Sequence, residues 1–248
     1  MSPTSTIPTA HLLSPVGHRL GFASAAGVVV VGLAYLGTGI AWLASRAPHP
    51  VGSALEPSEP FLTVLEVLVL LGAPLLVVLM AALHTWAPSD RKTATLAALA
   101  LASVFAALTC ANHFVRLTVV RQVGPGAEPG VLLSSRWPSA SLAVDFLAWG
   151  PLLGLSFLLA SAAFRGGPLR SAIRASMVAT GAFSLASVLG PALGDLRYSV
   201  LGIAGWMGVI VSCALLAVFF ARPAGSVRRL LVAAGMSAWA EETVRHRV

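Results

Sequence analysis

Six long apolar runs, separated by short polar or proline- and glycine-rich breaks, set the pattern of this 248-residue chain. They are Leu20–Leu43, Phe61–Leu83, Thr93–Val120, Ala140–Phe164, Leu169–Leu193 and Tyr198–Ala221. Each holds about 20 residues or more, the length at which a helix crosses a hydrocarbon core about 30 Å thick. The breaks carry turn chemistry. Ala47-Pro48-His49-Pro50 through Pro57 and Pro60 separates the first two runs, and Ala87-Pro88-Ser89-Asp90 follows the second. Gly124-Pro125-Gly126 and Trp137-Pro138 lie between the third and fourth. Gly166-Gly167-Pro168 predicts a tight turn before the fifth, and Gly194-Asp195-Leu196-Arg197 one before the sixth.

Beyond the last run the pattern changes. Val227, Leu230, Leu231, Ala234 and Trp239 recur at helical spacing, with Arg228 and Arg229 beside them and Ser226 placed as a cap. This predicts a short amphipathic helix at the membrane interface. The expected organisation is a cytoplasmic segment over residues 1–19, a six-helix transmembrane domain over 20–221, and an amphipathic cytoplasmic tail over 222–248.

Composition fixes the class as all-α, an integral membrane bundle. The chain is 57% hydrophobic and 10% charged, against about 25% charged for a soluble domain, and its mean hydropathy is +0.86. Cys110 and Cys213 both fall inside apolar runs, which suits buried thiols and forms no disulfide or metal-ligand pattern. The net charge of +7 does not imply nucleic acid, because the arginines form no patch with interleaved aromatics. Lys92 is the single lysine among 16 basic residues. With the excess of Ala, Gly, Val and Pro, this fits a high-GC bacterial source.

The basic residues instead report topology. Eleven fall on the side of both termini, including Arg91, Lys92, Arg165, Arg170 and Arg174, and four on the other, Arg46, Arg121, Arg136 and Arg197. Loops rich in Lys and Arg stay in the cytoplasm, so both termini are expected there, in a bacterial inner membrane. The first run, at about 24 residues, exceeds the 7–15 of a signal-peptide apolar region and reads as an uncleaved helix.

That topology places the polar residues within the spans at one depth. Thr109, Asn112, His113 and Arg116 are spaced three, one and three apart, so they form one stripe on a helix, near the outer end of the third span. Glu66 and Asp145 each lie about five residues inside the outer ends of spans two and four. An ionisable group inside a membrane helix faces the bundle interior or a cavity. The pattern therefore predicts a polar pocket in the outer half of the bundle, with Arg116 neutralised by Asp145, Glu66 or both. Two further readings belong to the same residues. Arg116 is near enough to the interface to snorkel, and an Arg116–Asp145 pair can serve helix register alone.

Of the six tryptophans, Trp42, Trp86 and Trp137 sit at span ends, as interfacial belts do. Trp149 and Trp206 lie deeper, where they pack or line the pocket and offer a π-face to a cation. The polar turn residue Tyr198 completes the candidate set. Catalytic candidates are Glu66, Asp145 and His113; substrate-binding candidates are Asn112, Arg116, Trp149, Trp206 and Tyr198. No HExxH, GxSxG, P-loop or CxxC motif is present. His84 and His113 stand at opposite ends of the spans and cannot share a haem. No cofactor and no metal is expected.

The stretch NHFVRLTVVRQ, Asn112–Gln122, resembles one in an uncharacterised family of small bacterial multi-pass membrane proteins. The likeness continues through Pro138, Gly154-Leu155 and FRGGPLRSAIR, Phe164–Arg174, covering roughly residues 94–181. The resemblance implies a membrane bundle of about six helices and no particular activity. This chain departs from it at His113, where the family carries an aromatic, and at Arg116, where it carries a neutral Gln. The family's Glu in span four falls one position later, at Phe146, about 100° around the helix from Asp145.

Two carboxylates beside a cationic group can have their pKa values pushed apart, leaving one as an acid. The leading expectation is a pocket that binds or transforms a lipid-like molecule, such as an isoprenoid, by acid-driven cyclisation or isomerisation. The alternatives are a small proton-coupled transporter and a non-catalytic accessory protein with a structural ion-pair cluster. Expected partners are the bilayer, a hydrophobic small molecule and further copies of the chain, with no nucleic acid.

Overall fold

The computed structural model describes residues 15–45, 59–123, 132–134 and 137–222. The amphipathic helix expected after Ser226 lies outside the described residues. Within them the chain is helical, with no strand. In chain order the helices are α1 (Pro15–Ser45), α2 (Phe61–Trp86), α3 (Lys92–Thr118), α4 (Ala140–Leu147), α5 (Leu153–Ser161), α6 (Pro168–Ala186), α7 (Leu189–Leu193) and α8 (Val200–Ala221). They make six spans long and apolar enough to cross a membrane, in the positions the hydrophobic pattern predicts. The chain is a multi-pass membrane protein in which α4 with α5, and α6 with α7, each form one interrupted span.

Both interruptions have the same cause. Pro151 and Pro191 lack the N–H that would bond the carbonyl four residues back, and their rings crowd that carbonyl. Four residues before Pro151 is Leu147, where α4 ends and a single π-helical segment, Ala148–Leu152, begins. A π segment absorbs one extra residue without breaking the span. Four residues before Pro191 is Ser187, where α6 ends; its backbone N–H is shared between Phe183 O and Ser184 O. Each proline follows a glycine. Pro74 follows alanine instead and stays inside continuous α2.

The spans close into a ring in sequence order. α1 packs on α2, α2 on α3, α3 on α5, α5 on α6, α6 on α8, and α8 back on α1. The glycine turn before α6 requires its residues: Gly166 and Gly167 have φ of +73° and +77°, and Pro168 supplies a preset first helical position. Close approach of α6 and α8 is set by small residues, as membrane helices without a hydrophobic driving force favour. Gly205 lies against Ser184 and Gly208 against Thr180. The Thr180 hydroxyl is 3.2 Å from that of Ser212.

Polarity is arranged inside out. Val30, Leu71, Leu96 and Phe114 are exposed on the outer surface, while Ser156, Thr180 and Ser212 are fully buried. One end of the ring is filled by Leu83, Phe157, Phe164, Met177 and Leu216. Trp86 belongs to that end. It stacks on Phe164 with centroids 5.1 Å apart, and the Arg170 guanidinium lies 5.6 Å from its ring centroid. His84 is also there, with Nδ1 3.0 Å from Thr95 Oγ1. The opposite end is not filled by apolar side chains, and Glu66, His113, Arg116 and Asp145 gather there.

Candidate functional site

Three helix segments bring the charged residues together. Glu66 lies in the second turn of α2, His113 and Arg116 in the last turns of α3, and Asp145 in the second half of α4. Because α2 and α4 run antiparallel to α3, an early position on each meets a late position on α3. Ser139 caps α4 by accepting a hydrogen bond from the Leu142 backbone N–H at 3.1 Å, which fixes the entry of the helix that carries Asp145.

The four side chains form a closed ring in which each uses two polar ends. Arg116 Nη2 lies 2.8 Å from Glu66 Oε1, and Arg116 Nη1 lies 3.5 Å from Asp145 Oδ2. His113 Nδ1 is in short contact with Glu66 Oε2. His113 Nε2 stands 3.3 Å from Asp145 Oδ1, an ion-pair distance for a protonated imidazole, without hydrogen-bond alignment. Burial is graded around the ring: the Glu66 side chain is 3% exposed, His113 7%, Arg116 11% and Asp145 17%. With both acids ionised, the carboxylates and guanidinium sum to −1. One proton on His113 brings the ring to zero.

Asn112 stands behind the ring. Its Nδ2 donates to Asp145 Oδ1 at 2.8 Å and to the Ser141 carbonyl at 3.1 Å, while its Oδ1 accepts from the Ser141 hydroxyl at 2.9 Å. An amide that both gives and receives ties α3 to α4 and orients the Asp145 carboxylate. Thr109, one turn deeper on the same stripe, is fully buried.

The ring forms one wall of a cavity of about 490 Å³, inside the roughly 300–1,000 Å³ range of small-molecule pockets. Every span contributes to it. Leu65 and Val69 supply apolar wall from α2, Leu142 and Phe146 from α4, and Ile203 from α8; Ser184, Ser187 and Ser199 add hydroxyls. Phe146 borders the same cavity as Asp145, so one step of helical phase does not take position 145 out of it. Tyr35, Trp149 and Trp206 line the cavity and also border a second, apolar space of about 40 Å³. Together with Val69, these three rings separate the large cavity from the small one. Tyr35 and Trp206 pack at 5.2 Å between centroids, and Trp149 meets Phe105 edge-on at 4.9 Å.

No family model, curated protein or solved structure matches this chain. The arrangement must speak for itself.

Of the residues singled out from the sequence, Glu66, His113, Arg116, Asp145, Trp149 and Trp206 line one cavity. Asn112 supports it from behind. Tyr198 does not join them: it is 48% exposed on the turn before α8, and its neighbour Ser199 takes the lining position. The guanidinium at the fourth corner of the ring displaces any simple metal geometry, and the described residues contain no group of His, Cys, Asp and Glu arranged to hold an ion. Sequence reasoning missed Tyr35, Ser184, Ser187 and Ser199. Tyr35, one of two tyrosines in the chain, was visible as a phenol inside an apolar run. The serines carried no distinguishing signal, because hydroxyls bond their own helix backbone at little cost.

Proposed function

We propose that this chain, residing in a bacterial inner membrane with both termini in the cytoplasm, takes a lipid-like amphiphilic small molecule into the cavity and seats its polar end at the Glu66–His113–Arg116–Asp145 ring. The observation that carries this reading is the ring's position. A helix register needs one ion pair, whereas four charged side chains are assembled on the wall of an otherwise largely apolar cavity. In this arrangement Asp145, the most exposed acid, meets the ligand. His113, between the two acids, carries the exchangeable proton. Arg116 holds the carboxylates together, and Asn112 aims Asp145. The excess of basic residues on the side of both termini supports the orientation.

The test is mass spectrometry of small molecules that copurify in mild detergent, wild type beside Arg116→Ala, each checked by a cooperative thermal melt. The expected result is a lipid-like molecule enriched in wild type and lost from the folded variant. Bulk lipid alone in both preparations, with the variant merely less stable, would overturn the reading and leave the ring as an ion-paired strut. A proton-coupled transport role draws support from one feature: the four groups balance their charge only with one added proton. It predicts substrate movement in vesicles that depends on a pH gradient.

A further inference from the structure

The ring and its walls discriminate between polar head groups. Both terminal nitrogens of Arg116 face carboxylates, at 2.8 and 3.5 Å, and so do both nitrogens of His113. An anion entering the cavity meets Asp145, the most exposed acid of the ring, and pays like-charge repulsion there. The aromatic part of the lining favours the opposite sign. Tyr35, Trp149 and Trp206 border the cavity, and aromatic faces attract cations, most strongly when water is excluded. Among the described residues, no lysine and no second arginine lines the space.

Resting on the reading above, we propose that the cavity is selective for lipophilic monocations, such as hydrophobic amines, quaternary ammonium or phosphonium ions. The charge lies beside Asp145 and the apolar groups lie between the three aromatic side chains. The bound cation replaces a proton. As it arrives, the His113 imidazolium releases its N–H proton to water, and the sum of charges in the site is zero before and after. The groups that face His113 are Glu66 from α2, Arg116 from its own helix and Asp145 from α4. Among the described residues, Tyr35 is the one further titratable side chain on the cavity wall. Binding is therefore tighter at higher pH.

The experiment is isothermal titration of the full-length protein in mild detergent with tetraphenylphosphonium and, separately, tetraphenylborate, two ions of nearly the same shape and opposite charge. The expected result is saturable phosphonium binding about tenfold or more tighter than borate, with roughly one proton released per ion bound. Asp145→Asn, with its melt retained, should weaken phosphonium binding by about tenfold. Trp206→Leu leaves the ring charges untouched and should weaken it as well, which keeps the test decisive if the Asp145 variant does not fold. Borate binding as tightly as phosphonium, or phosphonium binding indifferent to both variants, would overturn the cation selectivity. Binding without proton release would overturn the exchange. Saturable borate binding with no phosphonium binding would sink this inference and leave the lipid-like ligand standing. Absence of binding by either ion, with no copurifying molecule, would sink both.

Discussion

Replacing Arg116 with methionine removes the cation that bridges two acids while keeping most of the side-chain volume. At an effective dielectric of about 20, unit charges at the 2.8 Å separation from Glu66 attract by about 6 kcal/mol, and at the 3.5 Å separation from Asp145 by about 5 kcal/mol. Desolvating the guanidinium offsets much of this, and removal of one partner from a buried pair typically costs about 3–5 kcal/mol, because the remaining charge is orphaned. Glu66, at 3% exposed, is the most deeply buried member of the ring, so the loss should fall in that range. A double-mutant cycle refines the prediction. The coupling of Arg116 to Glu66, measured with Glu66→Gln, should exceed its coupling to Asp145, measured with Asp145→Asn, by about 1 kcal/mol from distance alone, and by more once the graded burial is included. Equilibrium unfolding in mixed micelles provides the assay. A loss below about 1 kcal/mol, the scale of exposed pairs, would refute the reasoning, as would an Asp145 coupling equal to or larger than that of Glu66.

Three further outcomes follow from the same geometry. Asn112→Ala deletes a donor to a carboxylate and a two-way link to Ser141, and should cost about 1.5–3 kcal/mol in the same unfolding assay; a cost near zero would show that water replaces the amide. A Cβ added at Gly181 would stand 2.6 Å from the Gly154 carbonyl oxygen, a backbone atom that cannot move aside, so Gly181→Ala should lower stability by about 1–3 kcal/mol, and an unchanged melt would contradict the packing of α5 on α6. In the turn before α8, the Arg197 side chain, followed by its backbone N–H, holds the Asp195 carboxyl below its usual range. A depressed folded value means that this pair's contribution is complete above the ordinary carboxylate pKa and is lost as pH falls through the lowered one. The Asp195 titration followed by NMR should therefore have a midpoint below that of free aspartate and rise in Arg197→Gln, and an unmoved midpoint would exclude the link.

The hydrophobic pattern located the six spans because a bilayer demands long uninterrupted apolar helices and tolerates little else. The ring was legible for the complementary reason. Glu66, His113, Arg116 and Asp145 are expensive where they stand, and common depth together with one helical stripe on α3 already implied that they meet. What stayed hidden was of two kinds. The interruptions after Leu147 and Ala186 had a sequence cause, Gly150-Pro151 and Gly190-Pro191, but a proline inside an apolar run does not say whether the helix bends, bulges or continues, as Pro74 shows. Tyr198 was drawn in by polarity and turned outward, since a turn residue is held by its backbone rather than by the bundle. The closure of the spans into a ring, which leaves room for the cavity, depends on pairings between distant segments that periodicity cannot register.

The ring also imposes an order on synthesis. Glu66 is made 47 residues before His113, and Arg116 is made 29 residues before Asp145. At roughly 5–20 residues per second, the first interval lasts about 2 to 10 seconds, during which an acid sits in a nascent span with no counter-charge. That span is the most apolar of the six, which lets the ribosome deliver it into lipid despite the charge. The Arg116 span then brings a cation to that acid before its own second partner exists. A chain stalled between these steps presents an unmatched carboxylate within the bilayer, the kind of defect by which membrane quality control can recognise an unfinished product.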